Sequence, residues 1–167
     1  MKIIVAVDKN FGIGCDGKLL MHISEDMKFF KATTIGNVVV MGKRTFESLP
    51  KGLPLIDRVN IVLSRDKNFQ NEAVTICRSL DELFIELKKF QTDSVFVIGG
   101  ESIYTQLLPY STDAYVTKIE DTFPADKHFT NLDTDCNWEL AETSEEKTHN
   151  DITFYFTKYK NKHVKQQ

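Results

Sequence analysis

The chain has 167 residues, 41% of them hydrophobic and 27% charged, the make-up of an ordinary globular domain and not of a disordered, collagenous or coiled-coil protein. Twenty-one Lys and Arg against 24 Asp and Glu leave a formal net charge of −3, which argues against a general nucleic-acid or anionic-membrane surface, since either needs an excess of cations. At this length folding removes about 70% of the unfolded chain's surface from water, so a core forms without staples.

The opening run MKIIVAVDKN is too short for a secretory apolar core and meets charge at once, so neither a signal peptide nor a membrane span is expected. Cys15, Cys77 and Cys136 lie far apart with no C-x-x-C pair, which points to a reducing compartment, the cytoplasm. His22, His128, His149 and His163 are scattered singly, so no metal site is expected.

In chain order, IIVAV (3–7) predicts a strand, and a helix follows over 24–35, where Ser24 is placed to cap and Glu25 and Asp26 suit the positive end. VVVM (38–41) predicts a strand running through Gly42 into a helix over 43–48. VNIVLS (59–64) and VTIC (74–77) predict two more strands, and Ser79-Leu80-Asp81-Glu82 is a capping box opening a helix over 80–90. VFVIG (95–99), a helix over 101–108 and AYVTKI (114–119) continue the alternation expected of a mainly parallel sheet with helices on both faces. FPADKHF reads as loop, and WELAETS with DITFYFTKY reads as a closing antiparallel hairpin around the polar EEKTHND. No repeat or linker divides the chain: residues 1–160 read as one α/β domain and 161–167 as a frayed tail.

Three features carry chemistry. Positions 26, 30 and 33 share a helix face that Phe30 should turn inward, which puts the Asp26 carboxylate on an apolar face; the alternative is a first-turn acid serving the helix dipole from solvent. A functional Asp26 would hydrogen-bond an amidine-like or guanidine-like edge of a ligand. Gly42, Lys43, Arg44 and Thr45 lead from a strand into a helix start with two cations, a natural phosphate site, and Ser64-Arg65 and Arg78 end the next two strands on the same edge. This is not a G-x-x-x-x-G-K-[ST] loop: Gly36 is one residue too far away and Arg44 stands where Ser or Thr should follow the lysine. Gly99-Gly100 opens a second strand–glycine–helix unit, so two phosphate sites fit a dinucleotide. The cations in place of the usual ribose-binding acid favour a 2′-phosphate, hence NADPH over NADH.

The segments IIVAVDKNFGIGCDGKL, HISEDMKFFKATT, VVVMGKRTFESLP, DRVNIVLSRD, CRSLDEL, VFVIGGESIYTQLLP and YVTKIE, in this order, resemble the dihydrofolate reductase family along nearly the whole chain. The resemblance implies a central, mainly parallel eight-stranded sheet with an antiparallel C-terminal edge and about four flanking helices. It implies a cytoplasmic monomer that reduces 7,8-dihydrofolate with NADPH, supports one-carbon, thymidylate and purine synthesis, and is a target of antifolates. It implies that Asp26 binds the pterin 2-amino group and ring N3, that Thr117 hydrogen-bonds that carboxylate, and that Ile4, Val5, Ala6 and Ile98 line the pterin and nicotinamide. Phe30, Leu49 and Leu55 would wall the pterin and benzoyl rings, and Arg58 would clamp the glutamate α-carboxylate.

For the cofactor, the resemblance sets Gly42, Lys43, Arg44, Thr45, Leu63, Ser64 and Arg65 at the adenosine 2′-phosphate, with Arg78 lining the adenine. It sets Gly99, Gly100, Glu101, Ser102, Ile103 and Tyr104 at the pyrophosphate and nicotinamide, with a cis peptide at Gly99-Gly100. Residues 12–21 resemble the family's mobile loop, with Ile13, Gly14 and Leu19 facing the cofactor. The departures lie there. Leu19-Leu20-Met21-His22 replaces the common Leu-Pro-Trp-His, so Met21, which has no N–H donor, takes the place of an indole that orders water by the substrate. A more mobile loop and an altered water network are expected. Two rival readings are a pyrimidine reductase of the same fold, as in riboflavin synthesis, and a nucleotide-binding module that has lost catalysis; neither explains why Asp26, Phe30, Arg58 and Thr117 occur together.

Overall fold

The computed structural model describes residues 1–166. Strand β1 (Lys2–Val7) lies at the middle of a sheet and is followed by a short hairpin, β2 (Gly12–Cys15) and β3 (Lys18–Leu19). Helix α1 (Ser24–Thr34), β4 (Val38–Gly42), α2 (Lys43–Ser48), β5 (Val59–Leu63), β6 (Thr75–Cys77), α3 (Leu80–Leu87), β7 (Val95–Gly99), α4 (Glu101–Leu107) and β8 (Asp113–Ile119) come next. The chain closes with β9 (Lys127–His128), β10 (Trp138–Thr143), β11 (Lys147–His149) and β12 (Ile152–Asn161). The sheet runs β10-β12-β8-β1-β7-β4-β5-β6, with β11 also paired to β12. From β8 to β6 every pairing is parallel, and β12 and β10 add the antiparallel edge. The expected eight-stranded α/β architecture is the one observed, with β11 as a short addition.

The apolar runs form the inner strands because both their faces are covered: Val38, Val39, Val40 and Met41 are all buried. Alternation along the strands assigns those faces. Ile3, Val5, Val40, Ile61 and Val97 pack with Leu83 and Leu87 of α3 and with Ile103 and Leu107 of α4. The opposite face has two separate covers. Phe46 of α2 packs on Val39, Met41 and Val62, whereas Phe29 of α1 packs on Phe156 of β12 and Tyr115 of β8, with ring centroids 4.6 and 6.2 Å away. Between these covers Ala6 of β1 and Ile98 of β7 are only partly buried; this strip near the carboxyl ends of the strands, where open α/β sheets bind ligands, is the crevice.

Several local expectations are corrected. Ser24 is the first helical residue and makes no capping bond; Ile23, buried, is the N-cap of α1. The Ser79 hydroxyl does cap α3 by accepting from the Glu82 amide, but the Glu82 carboxylate accepts from Arg78 N and not from Ser79. Helix α3 stops at Leu87 and not at residue 90, because Lys89 and Phe90 bond back only three residues. FPADKHF contains β9, which joins β2 and β3 in a second, three-stranded sheet. EEKTHND is not all turn: β11 pairs with β12 through Asn150-Asp151, both at positive φ (47° and 64°), the geometry of a two-residue primed turn. The C-terminal strand continues to Asn161, and Lys162 and Lys165 donate backbone bonds to Asn137 and Pro109; Gln167, at the end of the expected tail, lies outside the described residues.

Candidate active site

Asp26 lies in the first turn of α1, and its carboxylate turns inward toward the crevice. Thr117 Oγ1 donates to Asp26 Oδ1 at 2.5 Å, and among the described residues this is the only hydrogen bond the Asp26 side chain makes. Burial pushes the Asp26 carboxyl above the usual aspartate range, and the Thr117 bond offsets part of that shift. Thr117 is itself buried and sits beside Ala6 of β1 and Phe156 of β12 in the sheet register. The carboxylate therefore stands over a floor of small and aromatic side chains, with acceptor capacity left for a ligand.

The other expected pterin-side residues divide by face. Ala6, Ile98, Leu49 and Leu55 pack on the crevice side of the sheet. Val5 packs in the core beneath the opposite face, so only its backbone can reach a ligand in the crevice. The Ile4 carbonyl is taken by the buried Tyr104 hydroxyl, which donates to it at 2.8 Å. Phe30 is half-buried, and Phe29, which sequence reasoning passes over, is the aromatic that seats α1. Asn60 fixes the irregular 53–58 stretch: its side chain accepts from Leu55 N and donates to Leu55 O, both at 2.9 Å. Arg58 reaches back to the end of α1, donating to Ile56 O at 2.7 Å and to the Thr34 hydroxyl at 3.2 Å.

At the cofactor edge, register aligns Gly42 with Leu63, Leu63 with Cys77, and Met41 with Gly99, so the segments after four parallel strands emerge side by side. Arg44 and Arg65 are exposed there. Lys43 is engaged, its ammonium 2.7 Å from Asp66 Oδ2 and 3.5 Å from Glu47 Oε1. Arg78 does not join an open cation cluster: its guanidinium donates to the carbonyls of Ser64, Asp66 and Phe69 and so clamps the 64–69 loop. Ser64 is buried beside it.

The Gly99-Gly100 peptide is cis. Gly99 has φ +110°, and a Cβ there would fall 2.9 Å from the Tyr104 ring. A Cβ on Gly42 would fall 3.0 Å from Ile103 Cγ1, and one on Gly100 would touch Thr45 Oγ1 at 3.4 Å. Glycine at these positions lets the two strand–helix turns close on one another. Ile103 and Tyr104 are core residues, Leu63 is at the edge of the core, and Ser102 is exposed on α4. Glu101 Oε1 accepts from His128 N at 2.9 Å and thereby ties α4 to β9.

Within residues 12–21, β2 and β3 form a short hairpin over 12–19. Gly14 pairs with Leu19 and with Lys127, and the turn is Asp16-Gly17, both at positive φ. Ile13 packs against the main core, Leu19 is exposed, and Met21 packs with Ala6 and Phe123 against Ile23, Ile119 and Phe154. Asp8, which sequence reasoning misses, anchors this region. Buried at the end of β1, it accepts from Asn10 N and Gly12 N through Oδ1 and from Phe123 N through Oδ2, at 2.8 to 3.0 Å. Its signal is an acid directly after an apolar strand and before the turn formers Asn10 and Gly12.

The sequence model of the dihydrofolate reductase family matches residues 1–161. The dihydrofolate reductase of Bacillus subtilis is 36% identical over 162 residues, 95% of this chain and 94% of the relative. That of Staphylococcus haemolyticus is 39% identical over 129 residues, 77% of this chain and 75% of the relative. A solved structure of dihydrofolate reductase from Enterococcus faecalis, complexed with NADP(H) and RAB-propyl, superposes with a TM-score of 0.85 at 32% identity, covering 96% of this chain and 95% of that one. Sequence and fold thus agree from the first strand to the last, and the chain belongs to the dihydrofolate reductase family.

Proposed function

We propose that the chain reduces 7,8-dihydrofolate to 5,6,7,8-tetrahydrofolate with NADPH, and that Asp26 is the residue that binds and activates the pterin. The observation carrying this reading is the inward Asp26 carboxylate, held by Thr117 with acceptor capacity to spare, above Ala6 in the crevice. A pterin's 2-amino group and ring N3 present two adjacent N–H donors, and a carboxylate accepts both. Thr117 fixes one oxygen, so the remaining acceptor directions are set before the ligand arrives. A negative charge at this edge draws positive character onto the ring and favours protonation at N5. Burial strengthens that interaction, because little water screens it.

When bound, NADPH supplies the hydride, delivered from nicotinamide C4 to pterin C6. The residues fit it: Gly42 and Gly99-Gly100 let the turns after β4 and β7 close on one another at the cofactor edge, and Arg44 and Arg65 are exposed cations for the 2′-phosphate end. Ile98 and Ala6 form the apolar floor on which flat rings lie, and closure of the 12–21 segment over bound rings would exclude water from it. Arg58, at the far end of α1, receives the glutamate α-carboxylate by exchanging some of its present bonds to Thr34, Lys31 and Ile56 for it. Compact antifolates occupy the Asp26 end alone. The reading is a single-domain monomer whose site needs no residue from a second copy, and three free cysteines support a reducing compartment, the cytoplasm.

The test is loss of nicotinamide near-ultraviolet absorbance with NADPH and dihydrofolate, with NADH and Asp26→Asn in parallel. Fast loss with NADPH, slow loss with NADH and near abolition by the variant support the reading. Tight NADPH binding with no turnover would instead select the silent nucleotide-binding module.

A further inference from the structure

We propose that Asp66 is a specificity-determining residue of the cofactor site, a built-in counter-anion on Lys43 that the 2′-phosphate of NADPH must displace. The proposal rests on the cofactor reading above and concerns a residue which that reading leaves out. Asp66 Oδ2 lies 2.7 Å from Lys43 Nζ, and the carboxylate is held there by its own turn. Its Oδ1 accepts from Asn68 N at 2.9 Å, its amide donates to Ser64 Oγ at 3.3 Å, and its carbonyl is gripped by Arg78. Glu47 Oε1 is 3.5 Å from the same ammonium, which also lies 5.6 Å from the Phe69 ring centroid. The pairing is felt by both partners: the Lys43 bond holds the Asp66 carboxyl below the usual aspartate range and raises Lys43. Arg44 and Arg65, by contrast, form no ion pair among the described residues. Of these three cations, Lys43 alone has its charge already answered.

An arriving 2′-phosphate carries close to two negative charges and outcompetes one carboxylate for Lys43. It does so by breaking the existing pair and by leaving Asp66 as a like charge beside it. NADH has no group at that point and leaves the pair intact. Asp66 therefore moderates the advantage of NADPH over NADH, and the preference rests mainly on Arg44 and Arg65. Asp66→Asn removes the competing charge while its amide oxygen can still accept from Asn68.

The experiment is direct titration of NADPH and of NADH into the wild-type chain, Asp66→Asn and Lys43→Ala, followed by calorimetry at low and high salt. Asp66→Asn is expected to bind NADPH about three- to fivefold more tightly at low salt, the upper reach of an exposed charge pair. NADH affinity is expected to stay unchanged, and the gain to shrink as salt rises. Unchanged or weaker NADPH binding by Asp66→Asn would overturn the proposal, since the carboxylate would then be positioning Lys43 for the phosphate. An equal gain for NADH would overturn it too. Lys43→Ala is the separate check on the underlying reading: it should weaken NADPH and spare NADH. If it spares both, Lys43 is not a phosphate ligand and the cofactor assignment at this position fails first.

Discussion

Replacing Asp26 by Asn changes one charge and almost no volume, and the structure sets how much this should matter. The carbonyl oxygen of the substituted amide can still accept from Thr117, which in the wild type holds Oδ1 at 2.5 Å. The other position becomes an NH2 donor facing the two N–H donors of the pterin edge. Two charge-assisted hydrogen bonds are lost, at about 1.5–3 kcal/mol each, so kcat/KM for dihydrofolate is expected to fall by about 10² to 10⁴. NADPH affinity should change by less than about twofold, because the cofactor edge lies beyond α2 and not on α1. The same substitution carries a sign on stability. A carboxyl whose folded pKa is raised binds more protons folded than unfolded between the ordinary aspartate value and the raised one, so it opposes folding as pH rises through that window. Asp26→Asn removes the burden and should melt above the wild type at pH 7, with the gap closing as pH falls toward about 4. Steady-state kinetics, NADPH titration and melting curves at several pH values check all three. A less than tenfold loss of kcat/KM, or a matching loss of NADPH binding, would refute the assignment.

Three further outcomes are expected. Arg58→Ala should weaken folates with a glutamyl tail by about tenfold or more, while compact diaminopyrimidines lose little; equal weakening would show that Arg58 serves only the Thr34 and Ile56 contacts. Gly99→Ala puts a Cβ 2.9 Å from the Tyr104 ring at φ +110°, which should cost about 2–5 kcal/mol and lower the melting temperature by on the order of 10 °C. An unchanged melting curve would mean that the turn relaxes freely. Met21→Trp restores an N–H donor in the cluster with Ala6 and Phe123, and should shift turnover or antifolate affinity by about threefold or more; if both hold constant, the reaction does not use that position.

Long buried strands are legible because apolar runs such as VVVM and VFVIG permit little else, and the alternation with helices carries the architecture. The crevice is legible at Asp26 and Thr117 through the family resemblance, since periodicity leaves Asp26 open between the cleft and the solvent. What escapes depends on partners distant in sequence. Strand β9 has two residues and exists only because β2 is beside it. Arg78 looks like a free cation until the loop carbonyls that surround it are known. Asp8 holds two nearby amides that a local pattern signals, but its third partner, Phe123 N, is far along the chain. Asp16-Gly17 is different: that dipeptide is itself a hairpin signal, but only one short apolar run flanks it, which leaves the signal weak.

The two helices that wall the crevice rest on different parts of the sheet, α1 on β8 and β12 and α2 on β4 and β5. A molecule that reaches from Asp26 to Arg65 touches both, so on this face it acts as a strut between portions of the sheet that are joined through β1 and β7 and by the core on the opposite face. Binding energy then becomes fold stability: at a hundred times its dissociation constant, such a ligand adds about 2.7 kcal/mol against unfolding. A variant loosened anywhere in the sheet is therefore rescued by occupancy, and a screen that reads melting temperature detects ligands of this chain without any assay of turnover.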